Sequence, residues 1–316
     1  MVARGLSEVI MENVRRAEFW ETLENMSVRC GLCPHRCIIN IDSVGLCGVR
    51  ENHGGELVAS CYGVVSSIAL DPIEKKPLYM FHPRKQILSV GGFGCNLNCP
   101  FCQNHEISVV DEGNSEFGIR NSELAVKKRW LAARGRCFLP EDIAELAVKT
   151  VKDGNIGVAY TYNEPLIGYE FLRDCAESVH SAGLKNILVT NGCINEEPLE
   201  TLLPYVDAMN IDLKGFTDAF YKRLGGDLET VKKTIDKSRE HCHVEVTTLV
   251  VPGENEKDIE DIARWLSSLS PEIPLHLSRF FPRFMFSEKE PTPRETIIKL
   301  RDVAKEYLNN VYAGNM

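Results

Sequence analysis

From residue 87 onward, short apolar runs alternate with amphipathic stretches, the order expected of repeated strand–helix units. Six strands are predicted: "ILSVGGF" (87–93), "IGVAYTY" (156–162), "NILVTN" (186–191), "DAMNIDL" (207–213), "HVEVTTLVV" (243–251) and "PLHLSRFF" (274–281). Between them, "PEDIAELAVKTVKD" (140–153) predicts a helix opened by Pro140, and "NEKDIEDIARWLSSL" (255–269) one with an Asn cap and an acidic first turn. The spacing suits a parallel barrel or an open doubly wound sheet. In either architecture the loops leaving the carboxyl ends of the strands converge on one mouth, where functional groups gather. Polar and Gly-rich turns fall at those positions: a cysteine loop after the first strand, then "NEP" (163–165), "NG" (191–192), "DLKG" (212–215) and "PGEN" (252–255).

Residues 1–86 lack this alternation and read as a small irregular unit with short strands, for example within "ELVASCYGVVSSIAL" (56–70). The expected division is therefore 1–86 for an N-terminal Cys-rich unit and 87–316 for the strand–helix array. A long connection, 111–139, follows the cysteine loop, and within it "SELAVKKRWLAARG" (122–135) predicts a helix with a Ser cap and a terminal Gly.

Composition narrows the class. At 316 residues with 44% hydrophobic content, the chain can bury one large core plus an appended unit. The charged opening has no apolar centre of a signal peptide, and no segment supplies the ~18 uninterrupted apolar residues of a membrane span, so a cytoplasmic protein is expected. A net charge of -9 argues against a broad nucleic-acid footprint. Residues 120–136 reverse that balance locally, with six basic side chains against one acid, which leaves room for a small RNA contact or for guiding an anionic substrate.

Twelve cysteines carry more information, since clustered thiols in a reducing compartment hold metal or do redox work. Seven lie in two groups: Cys30, Cys33, Cys37 and Cys47, then Cys95, Cys99 and Cys102. The second group, in "GGFGCNLNCPFCQN" (91–104), has the spacing C-x3-C-x2-C on a Gly-rich loop where backbone can fold closely over a bound group. Three thiols admit two metal readings, a zinc ion with an outside fourth ligand such as His105, or an iron–sulfur cube whose fourth ligand is not protein.

With Phe101 between the last two cysteines, the loop resembles the C-x3-C-x-aromatic-C signature of the radical S-adenosylmethionine superfamily. In that superfamily three thiolates hold a 4Fe–4S cluster, the open iron chelates S-adenosylmethionine, and one electron cleaves the sulfonium to a deoxyadenosyl radical that abstracts hydrogen from a substrate. Reducing a sulfonium calls for the low end of the roughly -700 to +450 mV that protein clusters span, and hence for a low-potential electron donor. From about residue 28 onward the chain resembles, more narrowly, the pyruvate formate-lyase activating-enzyme-like branch and the radical enzyme of the AmmeMemoRadiSam system. The segments that carry this are "CGLCPHRC" with "GLCGVR", "LDPIEKKPLYMFHP", "AYTYNEP", "VTNG", "NIDLKG", "VEVTTLVVPGEN" and "PLHLSRFFP". The resemblance implies a partial (β/α)6 TIM-like barrel, in agreement with the strand count.

It also implies roles. Glu164 stands where the superfamily places an acid against the methionine amino group, although the common Gly-Gly before it is Tyr162-Asn163 here. Asp212 and Lys214 match a pair that contacts ribose hydroxyls and carboxylate, partners suited to a carboxylate and an ammonium. Asn191 and Gly192 occupy the "TNG" turn, but Val189 replaces the acid that precedes it in activating enzymes, so their accessory cation site is not expected. No residue is assigned a direct part in hydrogen transfer.

The first group, C-x2-C-x3-C-x9-C, offers four soft ligands for tetrahedral zinc or a second, fully protein-ligated cluster, a closed site fitted for structural or electron-relay duty. Cys61, Cys137, Cys175, Cys193 and Cys242 are expected as small buried apolar residues, with Cys61 and Cys137 near the mouth. His105, His243 and His276 are expected to be structural, His276 being at best a rim residue. The functional expectation is a radical S-adenosylmethionine enzyme. It is either an activase working on a glycyl-radical-type protein partner or an enzyme modifying a small molecule or RNA; the alternative outside enzymology is a non-catalytic metal-binding redox protein.

Overall fold

A computed structural model describes residues 15–109 and 135–316. Its centre is an eight-stranded sheet: β1 (Ser67–Pro72), β2 (Gln86–Gly91), β3 (Asn155–Tyr160), β4 (Lys185–Thr190), β5 (Ala208–Asp212), β6 (His243–Val250), β7 (Leu275–Arg279) and β8 (Val311–Gly314), side by side in chain order. Strands β2 to β8 run parallel, and β1 pairs antiparallel with β2 at one edge, from Ser67↔Gly91 to Pro72↔Gln86. The architecture is a partial TIM-like barrel with six strand–helix units and a seventh parallel strand closing the series. All six expected strands are present within two residues of their expected ends.

The parallel strands are nearly continuous apolar runs because helices cover their outer face. Between them run α1 (Pro140–Lys149), α2 (Tyr169–Ser181), α3 (Glu196–Leu202), α4 (Leu228–Ser238), α5 (Ile259–Leu269) and α6 (Arg294–Ala304). Their buried stripes, such as Ile143 and Ala147 of α1 and Ile259, Ile262, Ala263 and Leu266 of α5, join the strands in one core. Asn255 does not cap α5. Its side chain accepts from Val251 N and donates to the Leu249 and Lys214 carbonyls, tying the "PGEN" turn to the "DLKG" loop. The helix expected over 122–135 and the basic stretch 120–136 lie outside the described residues except for their ends at 135 and 136.

The amino ends of the strands are sealed by residues 73–83. Ile73 and Leu78 pack against Ile87, Ala159, Ile187 and Ala208. Glu245 accepts from Tyr79 N and Met80 N, and its two oxygens also meet His243 Nε2 at 2.9 Å and His276 Nε2 at 2.6 Å. His276 is thus a buried residue of the barrel floor and not of the rim, since its place near the start of β7 points it to the end opposite the loops.

The N-terminal residues form two small antiparallel sheets, Trp20–Thr22/Val28–Cys30/Ile38–Ile39 and Arg15–Arg16/Glu56–Ala59/Arg50–His53. The central sheet reaches back across residue 87 to recruit β1. Arg50 and Glu170 join the small unit to α2 through a fully buried ion pair at 3.0 Å, and Glu170 also accepts from Glu18 N at 2.7 Å. Removing one partner strands a charge out of water, so Glu170→Ala should cost about 3–5 kcal/mol in denaturant melts, whereas truncating the exposed pair partner Glu145 should cost under about 1 kcal/mol. Among the described residues, no helix is long and apolar enough to cross a membrane.

Candidate active site

At the carboxyl ends of the strands a cavity of about 510 Å³ is lined by Cys95, Cys99 and Cys102 together with Glu164, Asn191, Asp212 and Lys214. The fold therefore brings the three-cysteine loop and the turns after β3, β4 and β5 to one place, as the sequence expects. Phe101 lines the same cavity while its ring is buried against Phe220, Leu224, Val251 and Phe280, which pins the loop between the second and third cysteines. Gly192 holds the "TNG" turn from behind, its carbonyl accepting from Thr234 Oγ1 at 2.8 Å.

The loop is held by backbone contacts that few side chains would permit. Gly94 has φ +84°, and a Cβ there would stand 2.4 Å from the Cys47 carbonyl oxygen. Gly94→Ala is accordingly expected to displace the loop, with the variant melting below wild type and the visible absorbance of the reconstituted variant reduced. Asn163 fastens the same stretch, accepting from Gly92 N at 2.8 Å and donating to the Gly94 carbonyl at 3.1 Å.

Glu164 is 3% exposed, and three donors converge on its carboxylate: Leu166 N and Thr190 Oγ1 on one oxygen, Asn191 N on the other. Burial nevertheless lifts its pKa to about 7. Burial works against the Lys214 ammonium too, but Asp212, 2.6 Å away, and the thiols of Cys99 and Cys102 outweigh it and hold Lys214 charged. Burial raises Cys95 well above an ordinary thiol and Cys99 to about 12. Around them, Leu97 N lies 3.3 Å and Asn191 Nδ2 3.7 Å from Cys95 Sγ. Three partly buried thiols, with N–H donors near Cys95 and the Lys214 ammonium near Cys99 and Cys102, suit a group that binds them as thiolates; the donor set fits an iron–sulfur cluster.

His105 is not positioned as a fourth ligand. It opens the short helix His105–Ser108, stacks on Phe284 at 4.6 Å and does not line the cavity. Among the described residues, no group of three or more His, Cys, Asp or Glu side chains is arranged around a single metal-ion position. Cys61 packs with Val49, Val64, Phe93 and Ile167, Cys137 sits on a two-residue strand paired with Val64, and neither lines the cavity.

The other four cysteines gather beside this site. Cys30 and Cys47 are electrostatic neighbours of Cys33, and Cys30 and Cys37 of Cys47. Cys193, expected to be an isolated apolar residue, is also a neighbour of Cys33 and follows the Asn191 turn. The unit docks through His35, whose Nε2 lies 2.7 Å from the Asn96 carbonyl, while Asn96 Oδ1 accepts from Asn191 Nδ2 at 2.9 Å. Asn96 thereby joins both cysteine groups. Only its place inside the C-x3-C spacing could have pointed to it.

The structure adds lining residues to which sequence reasoning gave no role: Asp71, Lys75, Lys76 and Thr247. The first three lie in "LDPIEKKPLYMFHP", a segment that carries the family resemblance without assigning a role to any of its residues.

The family model described as the Radical SAM superfamily matches residues 89–266. An uncharacterised protein of Methanocaldococcus jannaschii is 39% identical over 309 residues, 96% of this chain and 86% of that one. A second protein of that organism, provisionally named a glycyl-radical enzyme activating enzyme, is 24% identical over 73% of this chain and 89% of its own length. A third, named 7-carboxy-7-deazaguanine synthase, is 23% identical over 69% of this chain and 83% of its own length.

Proposed function

From its place in the radical SAM superfamily, to which this chain belongs, we propose that the cavity holds a 4Fe–4S cluster on Cys95, Cys99 and Cys102, with S-adenosylmethionine beside it. The observation that carries this reading is the convergence of three partly buried thiols, Glu164, Asn191, Asp212 and Lys214 on one cavity. When bound, the cluster and S-adenosylmethionine supply one-electron cleavage of the sulfonium and a deoxyadenosyl radical that takes a hydrogen atom from substrate. Glu164, braced by its three donors, presents a fixed carboxylate to the methionine amino group. Asp212 and Lys214 present an acceptor and a donor 2.6 Å apart, suited to ribose hydroxyls and to the methionine carboxylate. Phe101, Asn191 and Gly192 shape and position the same wall. A low-potential one-electron donor is the partner this chemistry requires.

The test is anaerobic reconstitution with iron and sulfide, followed by S-adenosylmethionine and a strong reductant. Deoxyadenosine should accumulate well beyond that of protein stripped of iron; equal traces in both would overturn the reading.

Two substrate readings follow. Hydrogen abstraction from a glycine of a partner enzyme is favoured by the relative provisionally named an activating enzyme. Modification of a small molecule is favoured by the charged residues that line the cavity beyond the cofactor wall, Asp71, Lys75 and Lys76. For the cysteine tetrad, Cys30, Cys33, Cys37 and Cys47, the reading is a closed second cluster, with zinc as the alternative. The four thiols are neighbours of one another, as a closed site requires. Reconstituted protein is then expected to carry roughly eight irons per chain, falling to roughly four when all four are changed to Ser. An unchanged iron count with stoichiometric zinc would favour the zinc site instead.

A further inference from the structure

We propose that Lys75 and Lys76, steered by Asp71 and Tyr162, form a subsite in the barrel lumen for an oxyanion, carboxylate or phosphate, of a small-molecule substrate. This rests on the small-molecule reading above and names the chemistry that would hold the substrate opposite the cysteines.

The argument starts from Asp71 on β1, whose carboxylate is saturated. Oδ2 accepts from Lys76 Nζ, Ser89 Oγ and Tyr162 Oη, each at 2.9 Å, and Oδ1 accepts from Lys75 Nζ at 3.1 Å. Four donors use the roughly four lone-pair positions a carboxylate offers. Two ammonium groups therefore share one negative charge, and one unit of positive charge remains facing the cavity that both lysines line. Elsewhere in that cavity Lys214 is matched by Asp212, and Glu164 is engaged by its own three donors. The lysine pair has no second counter-charge among the described residues that line the cavity with it.

Lys76 is 3% exposed, an unusual place for an ammonium with half a partner. Burial lowers its pKa, Asp71 only partly offsetting this, and an anion in the lumen would supply the missing compensation. A second polar group lines the same cavity: Thr247 of β6 is 7% exposed, and its hydroxyl has no hydrogen-bond partner among the described residues. A buried hydroxyl without a partner costs free energy that a bound acceptor would recover.

Tyr162 supplies the third observation. Its φ is +76°, a left-handed backbone that a bulky aromatic residue adopts only under strain. This conformation lets the ring lie over Gly91, where a Cβ would stand 2.8 Å from Tyr162 Cδ2, and carries the hydroxyl down to Asp71. Lys76 Nζ lies 5.2 Å from the centre of the same ring. The backbone strain is thus spent on fixing the lysine–aspartate group, as a preorganised recognition site would need.

The test is titration calorimetry of the whole reconstituted protein with sodium acetate and with sodium phosphate, in separate arms and against sodium chloride at matched ionic strength. One of the two oxyanions should bind with saturation, identifying carboxylate or phosphate, and chloride should not. Lys75 is 66% exposed at its side chain, so Lys75→Glu should fold, and it should weaken that binding at least tenfold. Lys149→Glu, on the outside of α1, should not alter it. No saturable binding of either oxyanion, or equal affinity in the Lys75→Glu protein, would overturn the proposal. Its failure is separable from failure of the radical reading, because deoxyadenosine formation by the wild-type protein is scored with no oxyanion present.

Discussion

Cys99→Ala should abolish deoxyadenosine formation and lower bound iron by roughly four atoms per chain, while leaving the fold intact. Cys99 is the middle thiol of the loop, and its charged neighbours beyond Cys102 are Asp212 and Lys214, which are held to each other at 2.6 Å. His105 is stacked on Phe284, and Asn191 Nδ2 approaches Cys95 rather than Cys99. The neighbouring Lys214 ammonium favours a thiolate at Cys99 and would repel a cation left without it. The Ala side chain removes only a sulfur from a partly buried position, so the melting transition should stay within about 1 kcal/mol of wild type when both are compared without iron. Iron assay, visible spectrum and product chromatography read the three expectations separately. Retention of full iron with activity would mean that a different group of ligands does the work.

The second large effect is expected at Glu164. Glu164→Gln keeps the shape but turns one acceptor oxygen into an NH2 group facing Leu166 N and Thr190 Oγ1, or Asn191 N. One donor then meets another in a buried site. Hydrogen bonds involving a charged group contribute about 1.5–3 kcal/mol, so affinity for S-adenosylmethionine should fall roughly 10- to 150-fold with iron content unchanged. A pH signature accompanies it. Burial raises the Glu164 pKa to about 7 in the unliganded site, so wild-type affinity should decline as pH falls through that value and the carboxylate gains its proton. The Gln protein should lack that dependence. Unaltered affinity would remove Glu164 from the binding wall and leave it as a brace for the Asn191 turn.

The parallel strands were legible because both of their faces are buried, which leaves apolar runs such as "NILVTN" that interrupt the helical period cleanly. The edge strands were less so. β1, half-exposed along Ser67–Pro72, begins inside the stretch read as short strands of the N-terminal unit and joins the central sheet instead, and β8 is only four residues long, too short a run to stand out from its neighbours. At the site, cysteine spacing and the "NEP", "TNG" and "DLK" turns located the wall that would hold the cofactors, because loop positions after parallel strands are set by topology. The remainder depends on geometry that spacing does not encode. Asn255 has the composition of a helix cap and works instead as a clamp between two loops, while His276 and Glu245 meet across adjacent strands on the floor. Tyr162 in a left-handed conformation has no sequence signal at all, and Asp71 becomes informative only once two lysines and two hydroxyls are seen to share it.

The central claim is that Cys95, Cys99 and Cys102 leave one coordination position for S-adenosylmethionine, and electron paramagnetic resonance of the anaerobically reduced protein tests it most directly. Adding S-adenosylmethionine to the wild-type protein should change the spectrum in a saturable way, and the change should be absent from Cys99→Ala. A spectrum that stays the same at saturating S-adenosylmethionine would contradict the account.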